Sequence, residues 1–100
     1  MTRFAIIGGG WRAQMFLDVA RALGTVACVG VVAPRPRPLS VPVFTSLDDC
    51  LHEQPVDFVL TATPRDVTPT VVVEAVERGL PVLAETPPAP DLEGLRALWD

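Results

Sequence analysis

Arg3-Phe4-Ala5-Ile6-Ile7-Gly8-Gly9-Gly10-Trp11-Arg12-Ala13 is the stretch that decides the fold of this chain. A short apolar run stops at three glycines. From Trp11 to Leu23, the apolar residues Phe16, Val19, Ala20 and Leu23 then recur at helical spacing, ahead of Gly24. The run predicts a strand, the glycines a tight turn, and the rest a helix closed by Gly24. The spacing G-x-G-x-x-A has a physical content of its own. Gly8 permits the tight turn, Gly10 lets the backbone approach a pyrophosphate, and Ala13 keeps the helix near the strand. Amides at the start of a helix, helped by its dipole, attract phosphate. Gly8, Gly10, Trp11 and Arg12 are therefore the candidate dinucleotide contacts of this turn. For the Trp11 ring two readings stand level, packing over the cofactor or over a neighbouring loop.

Outward from this unit, strand and helix keep alternating. Val26 to Ala33 reads as a buried strand, and Pro34-Arg35-Pro36-Arg37-Pro38 as a connecting loop, because alternate residues lack an amide hydrogen. Val41-Pro42-Val43-Phe44 predicts a short, proline-bearing strand near an edge. Ser46-Leu47-Asp48-Asp49 opens a capped helix running to about His52. Asp57 to Thr61 is a fourth strand, ending at the Thr61-Ala62-Thr63-Pro64 turn. Thr68 as N-cap and Pro69 at the first helical position open a further helix that Gly79 closes. Pro81 to Ala84 is a fifth strand, and after Pro87-Pro88-Ala89-Pro90 comes a helix, capped by Asp91, with Leu92, Leu95, Leu98 and Trp99 on one stripe. The predicted fold class is α/β, a doubly wound, mostly parallel Rossmann-type sheet, incomplete at its C-terminal end. Fifteen valines among 100 residues suit strands buried on both faces.

Composition removes other chemistries. All eight basic residues are arginine and there is no tyrosine. A phosphate-binding lysine, a Schiff-base lysine and a Tyr/Lys dehydrogenase pair are thus excluded. A net charge of −4 argues against a nucleic-acid or anionic-membrane partner, which needs a basic face. No apolar run approaches the ~20 residues of a membrane span, and no signal peptide is visible. Two isolated cysteines, Cys28 and Cys50, read as reduced packing residues, so a cytoplasmic location is expected. Cys50 and His52 lack the further ligands a metal site requires. His52, the only imidazole, reads as a helix-end surface residue, and Asp48, Asp49 and Glu53 as a solvated face.

The ribose end of a dinucleotide site offers a second test. NAD sites usually carry Asp or Glu after the second strand, about 20 residues beyond the glycines. Here that place is near Ala33, and no acid occurs between Asp18 and Asp48. Arg35 and Arg37 lie just past the strand instead. An arginine there pairs with a 2′-phosphate, so the choice leans to NADP, with NAD as the alternative. Arg37 reads rather as part of a solvated basic loop. For Arg35 the two readings are even.

With those residues in place, the chain resembles the N-terminal, NAD(P)-binding domain of the Gfo/Idh/MocA oxidoreductases. The resemblance rests on the glycine turn, on Thr61-Ala62-Thr63-Pro64, on the Thr68–Gly79 helix, and on Gly79-Leu80-Pro81-Val82-Leu83-Ala84-Glu85-Thr86-Pro87. It covers essentially all 100 residues in order. It implies that Ala62, Thr63 and Pro64 line the cofactor crevice, that Glu85 lies near the nicotinamide ribose, with Glu85 and Thr86 near the reacting end, and that the Thr86–Pro87 peptide is cis. It further implies hydride transfer between a nicotinamide and a carbonyl or imine carbon of a small, sugar-like molecule held against a separate C-terminal domain.

The departures from the family pattern matter as much. Thr86 stands where the family keeps the lysine of Glu-Lys-Pro, Arg65 where it usually has Asn, and Thr68 where a His is frequent. A threonine hydroxyl brings no charge and titrates far from neutrality. No catalytic residue is therefore assigned. Residues 1–100 are expected to form a dinucleotide-binding domain that ends inside a helix, without its substrate domain, without turnover, and open to self-association. A non-catalytic sensing protein and an interaction module that has lost its cofactor remain the alternatives.

Overall fold

The computed structural model describes residues 1–35, 38–64 and 66–84, together with Glu93 and Arg96. Among the described residues, five strands and three helices of more than one turn follow one another in the expected order. They are β1 (Thr2–Ile7), α1 (Trp11–Leu23), β2 (Val26–Val32), β3 (Val43–Phe44), α2 (Leu47–Glu53), β4 (Phe58–Thr61), α3 (Thr68–Glu77) and β5 (Val82–Ala84). Every strand pair is parallel, and the sheet order is β3-β2-β1-β4-β5.

Central position explains the sequence of β1. Phe4 and Ile6 face one core together with Leu17 and Ala20 of α1, while Ala5 and Ile7 face a second core with Leu47, Cys50 and Ala75. Both faces are covered, so four consecutive apolar residues are buried and no polar alternation appears. Phe4 stacks on Phe58 of β4, ring centroids 5.1 Å apart. A one-residue irregularity in the β1–β2 register falls between Phe4 and Ala5.

On α1 the buried residues are Ala13, Leu17 and Ala20, with Phe16 half-buried, whereas Val19 and Leu23 point outward. The stripe is thus rotated from the one that Val19 and Leu23 would define, because two alanines let the helix axis settle close to the sheet. Gly24 closes the helix in the left-handed conformation (φ 71°), its N–H donating to the Ala20 carbonyl at 3.1 Å. Val41-Pro42-Val43-Phe44 contributes only Val43–Phe44 to the sheet, at its edge. Pro42 can still accept from the Val31 amide (2.9 Å) but has no N–H to donate.

Ser46 caps α2 as predicted, its hydroxyl accepting from the Asp49 amide at 3.1 Å. The assignment of Thr68 as the cap of α3 needs correction. The cap is Val67, already in right-handed helical conformation, and Thr68 is the first helical residue. The Pro64 carbonyl accepts from both the Val67 (2.9 Å) and Thr68 (3.1 Å) amides, so winding starts before the threonine. Of the predicted C-terminal helix, Glu93 and Arg96 are helical and exposed. The stripe of Leu92, Leu95, Leu98 and Trp99 lies outside the described residues.

Candidate functional site

The chain leaves β1 toward β2 on one side and leaves β4 toward β5 on the other. A crevice opens at the carboxyl ends of strands where such connections diverge. Here it lies at Ile7–Gly8 and Thr61–Ala62, and the predicted glycine turn and Thr61–Pro64 turn meet there. The Gly8 amide donates to Val32 O and the Ala62 amide to Ile7 O, each at 2.8 Å, extending both ladders past the strand ends.

Gly8 has φ +125°, and a Cβ at that position would fall against the Ala62 carbonyl oxygen and 2.7 Å from its carbonyl carbon. No side chain fits, because the opposing atoms are backbone. Gly10 is different. Its φ is −82° and a Cβ would meet no protein atom within 4 Å. Among the described residues nothing demands glycine at position 10; a ligand approaching the backbone at the start of α1 would. Ala13 is fully buried and sets the closeness of α1 to the sheet. The three small residues thus differ in surroundings: Gly8 is closed by Ala62, Gly10 is open, and Ala13 is buried.

Trp11 is 72% exposed, so the reading in which it packs over a neighbouring loop is not met. Its ring lies 5.2 Å from the Arg12 guanidinium carbon, which also stands 5.8 Å from the Phe16 ring. Arg12 is thereby held at the mouth of the glycine turn by two aromatic faces. Arg35 is exposed just beyond β2. It forms neither a hydrogen bond nor an ion pair with the described residues.

A cleft of about 290 Å³ runs from Ile7 and Gly8 beneath Pro34 to the first turns of α2 and α3. Its wall is mostly apolar, with Thr63 and Glu74 among the polar exceptions. Thr63 lines this cleft, while Ala62 meets Gly8 and Pro64 heads the turn into α3. Sequence reasoning did not single out Ser46, Leu47, Val67, Val71 or Glu74 as cleft residues. Only the rule that ligands sit beyond the carboxyl ends of strands pointed toward them. Arg65, Glu85, Thr86 and the Thr86–Pro87 peptide lie outside the described residues.

Several polar and titratable residues lie away from the cleft. Arg78 binds Asp48 through two nitrogens, at 2.7 and 3.0 Å, and this holds the carboxyl below its ordinary range. Burial pushes the Cys28 thiol up to about 11 and raises Cys50 as well, so neither is a ready nucleophile. His52 is exposed in the last turn of α2. Among the described residues, no helix is long and apolar enough to cross a membrane.

Residues 2–100 match the profile described as "Oxidoreductase family, NAD-binding Rossmann fold", GFO_IDH_MocA. The chain belongs to the Gfo/Idh/MocA oxidoreductase family. It is 41% identical over 82 residues to an inositol 2-dehydrogenase of Leifsonia xyli subsp. xyli, a match covering 81% of this chain and 21% of that protein. Among solved structures, the WlbA dehydrogenase from Chromobacterium violaceum, in complex with NADH and UDP-GlcNAcA, superposes with a TM-score of 0.85. That match has 25% identity and covers 98% of this chain and 31% of the other. GenD2 from gentamicin A biosynthesis, in complex with NAD, also gives a TM-score of 0.85, at 27% identity over 97% of this chain and 30% of its own. The chain therefore spans about a fifth to a third of the length of these members of the Gfo/Idh/MocA group.

Proposed function

We propose that this chain is the dinucleotide-binding domain of an oxidoreductase acting on a small polyol or sugar-like molecule. Hydride would pass between the nicotinamide and a carbonyl or imine carbon. The single observation that carries the reading is the pair of glycines. Gly8 is required by the backbone, while Gly10 leaves a space beside a helix start that no protein atom fills. The amides of that helix end would hold the pyrophosphate, and the apolar cleft beneath Pro34 would receive the adenosine half. The nicotinamide, when bound, supplies the redox chemistry. This chain's own residues bind and orient it, with Glu85 and Thr86 assigned to the reacting end.

The cofactor is NADP(H), with Arg35 as the 2′-phosphate partner, supported by the exposed guanidinium past β2 and the missing acid at that strand end. NAD(H) is the second reading, favoured by the NADH and NAD named with the solved relatives. Titration with each dinucleotide, read by tryptophan quenching and heat, separates the two. NADPH is expected to bind more tightly, and Arg35→Ala to lower its affinity about tenfold while leaving NADH unchanged. Tighter NADH binding by the unsubstituted chain would overturn the Arg35 assignment.

The 100 residues alone are proposed to bind cofactor without turnover, since the named relatives are about three to four times as long. Substrate-dependent NADPH consumption by this chain would refute that. A cytoplasmic location is supported by the two free thiols, Cys28 half-buried and Cys50 buried. Self-association is supported by a wholly apolar hollow of about 260 Å³ over Phe58 and Leu60, rimmed by the exposed Val19, Leu23 and Leu83. Concentration-dependent sedimentation tests it.

A further inference from the structure

The dinucleotide reading says that Thr63 lines the cleft but not which way its hydroxyl bonds, and the Thr68 side chain decides that. Thr68 Oγ1 lies 3.1 Å from the Pro64 carbonyl oxygen, 3.3 Å from the Thr63 carbonyl oxygen and 2.8 Å from Thr63 Oγ1. Carbonyl oxygens only accept, and a threonine hydroxyl carries one proton. If that proton pointed at Thr63 Oγ1, the lone pairs of Thr68 would face two carbonyl oxygens at hydrogen-bond distance. The favourable arrangement sends the Thr68 proton to the carbonyls and leaves its oxygen to accept from Thr63. The Thr63 proton is then used, and only acceptor capacity remains on its oxygen at the cleft wall. Thr68 is 5% exposed, so water does not compete for this arrangement.

We propose that Thr68 is a positioning residue that fixes the Thr63 hydroxyl as a hydrogen-bond acceptor facing the cleft. The group it receives is a donor of the dinucleotide, an adenine amine, ribose hydroxyl or carboxamide, and not a phosphate. The cleft then divides its labour. Backbone amides after β1 take the anionic part, and an oriented oxygen after β4 takes a neutral donor. This rests on the dinucleotide reading above.

The test measures NADPH, 2′,5′-ADP and reduced nicotinamide mononucleotide binding to the whole chain and to Thr63→Val, Thr68→Val, Thr68→Ser and the double valine variant. Each valine is expected to weaken NADPH about fivefold, with the double no weaker than either single variant and Thr68→Ser restored to within about twofold. The fragment that shows the same loss identifies the donor: 2′,5′-ADP for the adenosine half, the mononucleotide for the other. If the unsubstituted chain binds no dinucleotide, the function reading fails. If it binds while Thr63→Val has no effect, or the two valines add, the positioning role fails. Thr63→Val keeps the test open should Thr68→Val unfold, because Thr63 is only half-buried.

Discussion

Two turns leave adjacent central strands at the same edge of the sheet, and each enters a helix, yet they are built by opposite means. The turn after β1 is stripped of side chains. Gly8 is pressed against Ala62, Gly10 is open, and α1 has no side-chain cap. The turn after β4 is cross-linked by side chains, with Thr68 tying Thr63 and Pro64 to the first turn of α3. In the proposed binding mode one surface offers backbone amides to an anion and the other a held oxygen to a donor. A dinucleotide lying across both would meet each kind.

The largest effect is expected from Gly8→Ala. A Cβ there would overlap backbone atoms of Ala62 at a φ that L residues rarely adopt. Stability should fall by about 3 kcal/mol, seen as an early denaturant midpoint. An unchanged midpoint would mean that the two turns do not touch as described. Thr68→Val should follow, at about 1–2 kcal/mol, for the loss of a buried hydroxyl with two carbonyl partners. Gly10→Ala is the counterpart of Gly8→Ala. Stability should change by less than about 1 kcal/mol, because the site is open and the helix cap is only slightly worsened. Dinucleotide affinity should nonetheless fall about tenfold. If the two glycines behaved alike, the distinction between a structural and a ligand-facing glycine would collapse.

The smallest effect belongs to a pair outside both turns. Asp48 is held below its ordinary pKa of 3.8 by Arg78, so its contribution is complete above that pH and is lost as the pH falls through the lowered value. Asp48→Asn should lower the melting temperature slightly at neutral pH, without altering nucleotide affinity. The difference from the parent should disappear in strong acid. The pair is exposed, which keeps the effect small.

Much of this was legible along the chain. The glycine turn, β1 and α1 follow from local chemistry, since a strand that ends in glycines before a helical pattern has few other solutions. The Ser46 cap was readable for the same reason. Thr68 was misplaced by one position. A threonine followed by proline looks like a cap in isolation, and only the Pro64 carbonyl, reached through the winding of the turn, shows that the helix has already begun. The outward turn of Val19 and Leu23 was likewise hidden. Helical spacing defines several overlapping stripes, and the packing of Ala13 and Ala20 against the sheet selects among them.

The sequence by itself determined the alternation of strands and helices, the family, and the residue types able to approach a phosphate. These depend on neighbours within a few residues, where conformational preference and periodicity are expressed. Tertiary structure alone decided that Gly8 is closed by Ala62 while Gly10 stays open, and that Ser46, Val71 and Glu74 share a cleft with Ile7. It also placed the Thr68 hydroxyl beside the carbonyl oxygens of Thr63 and Pro64. Each of these is a contact between segments brought together by parallel pairing across the sheet, and no local pattern records which atoms will face one another there.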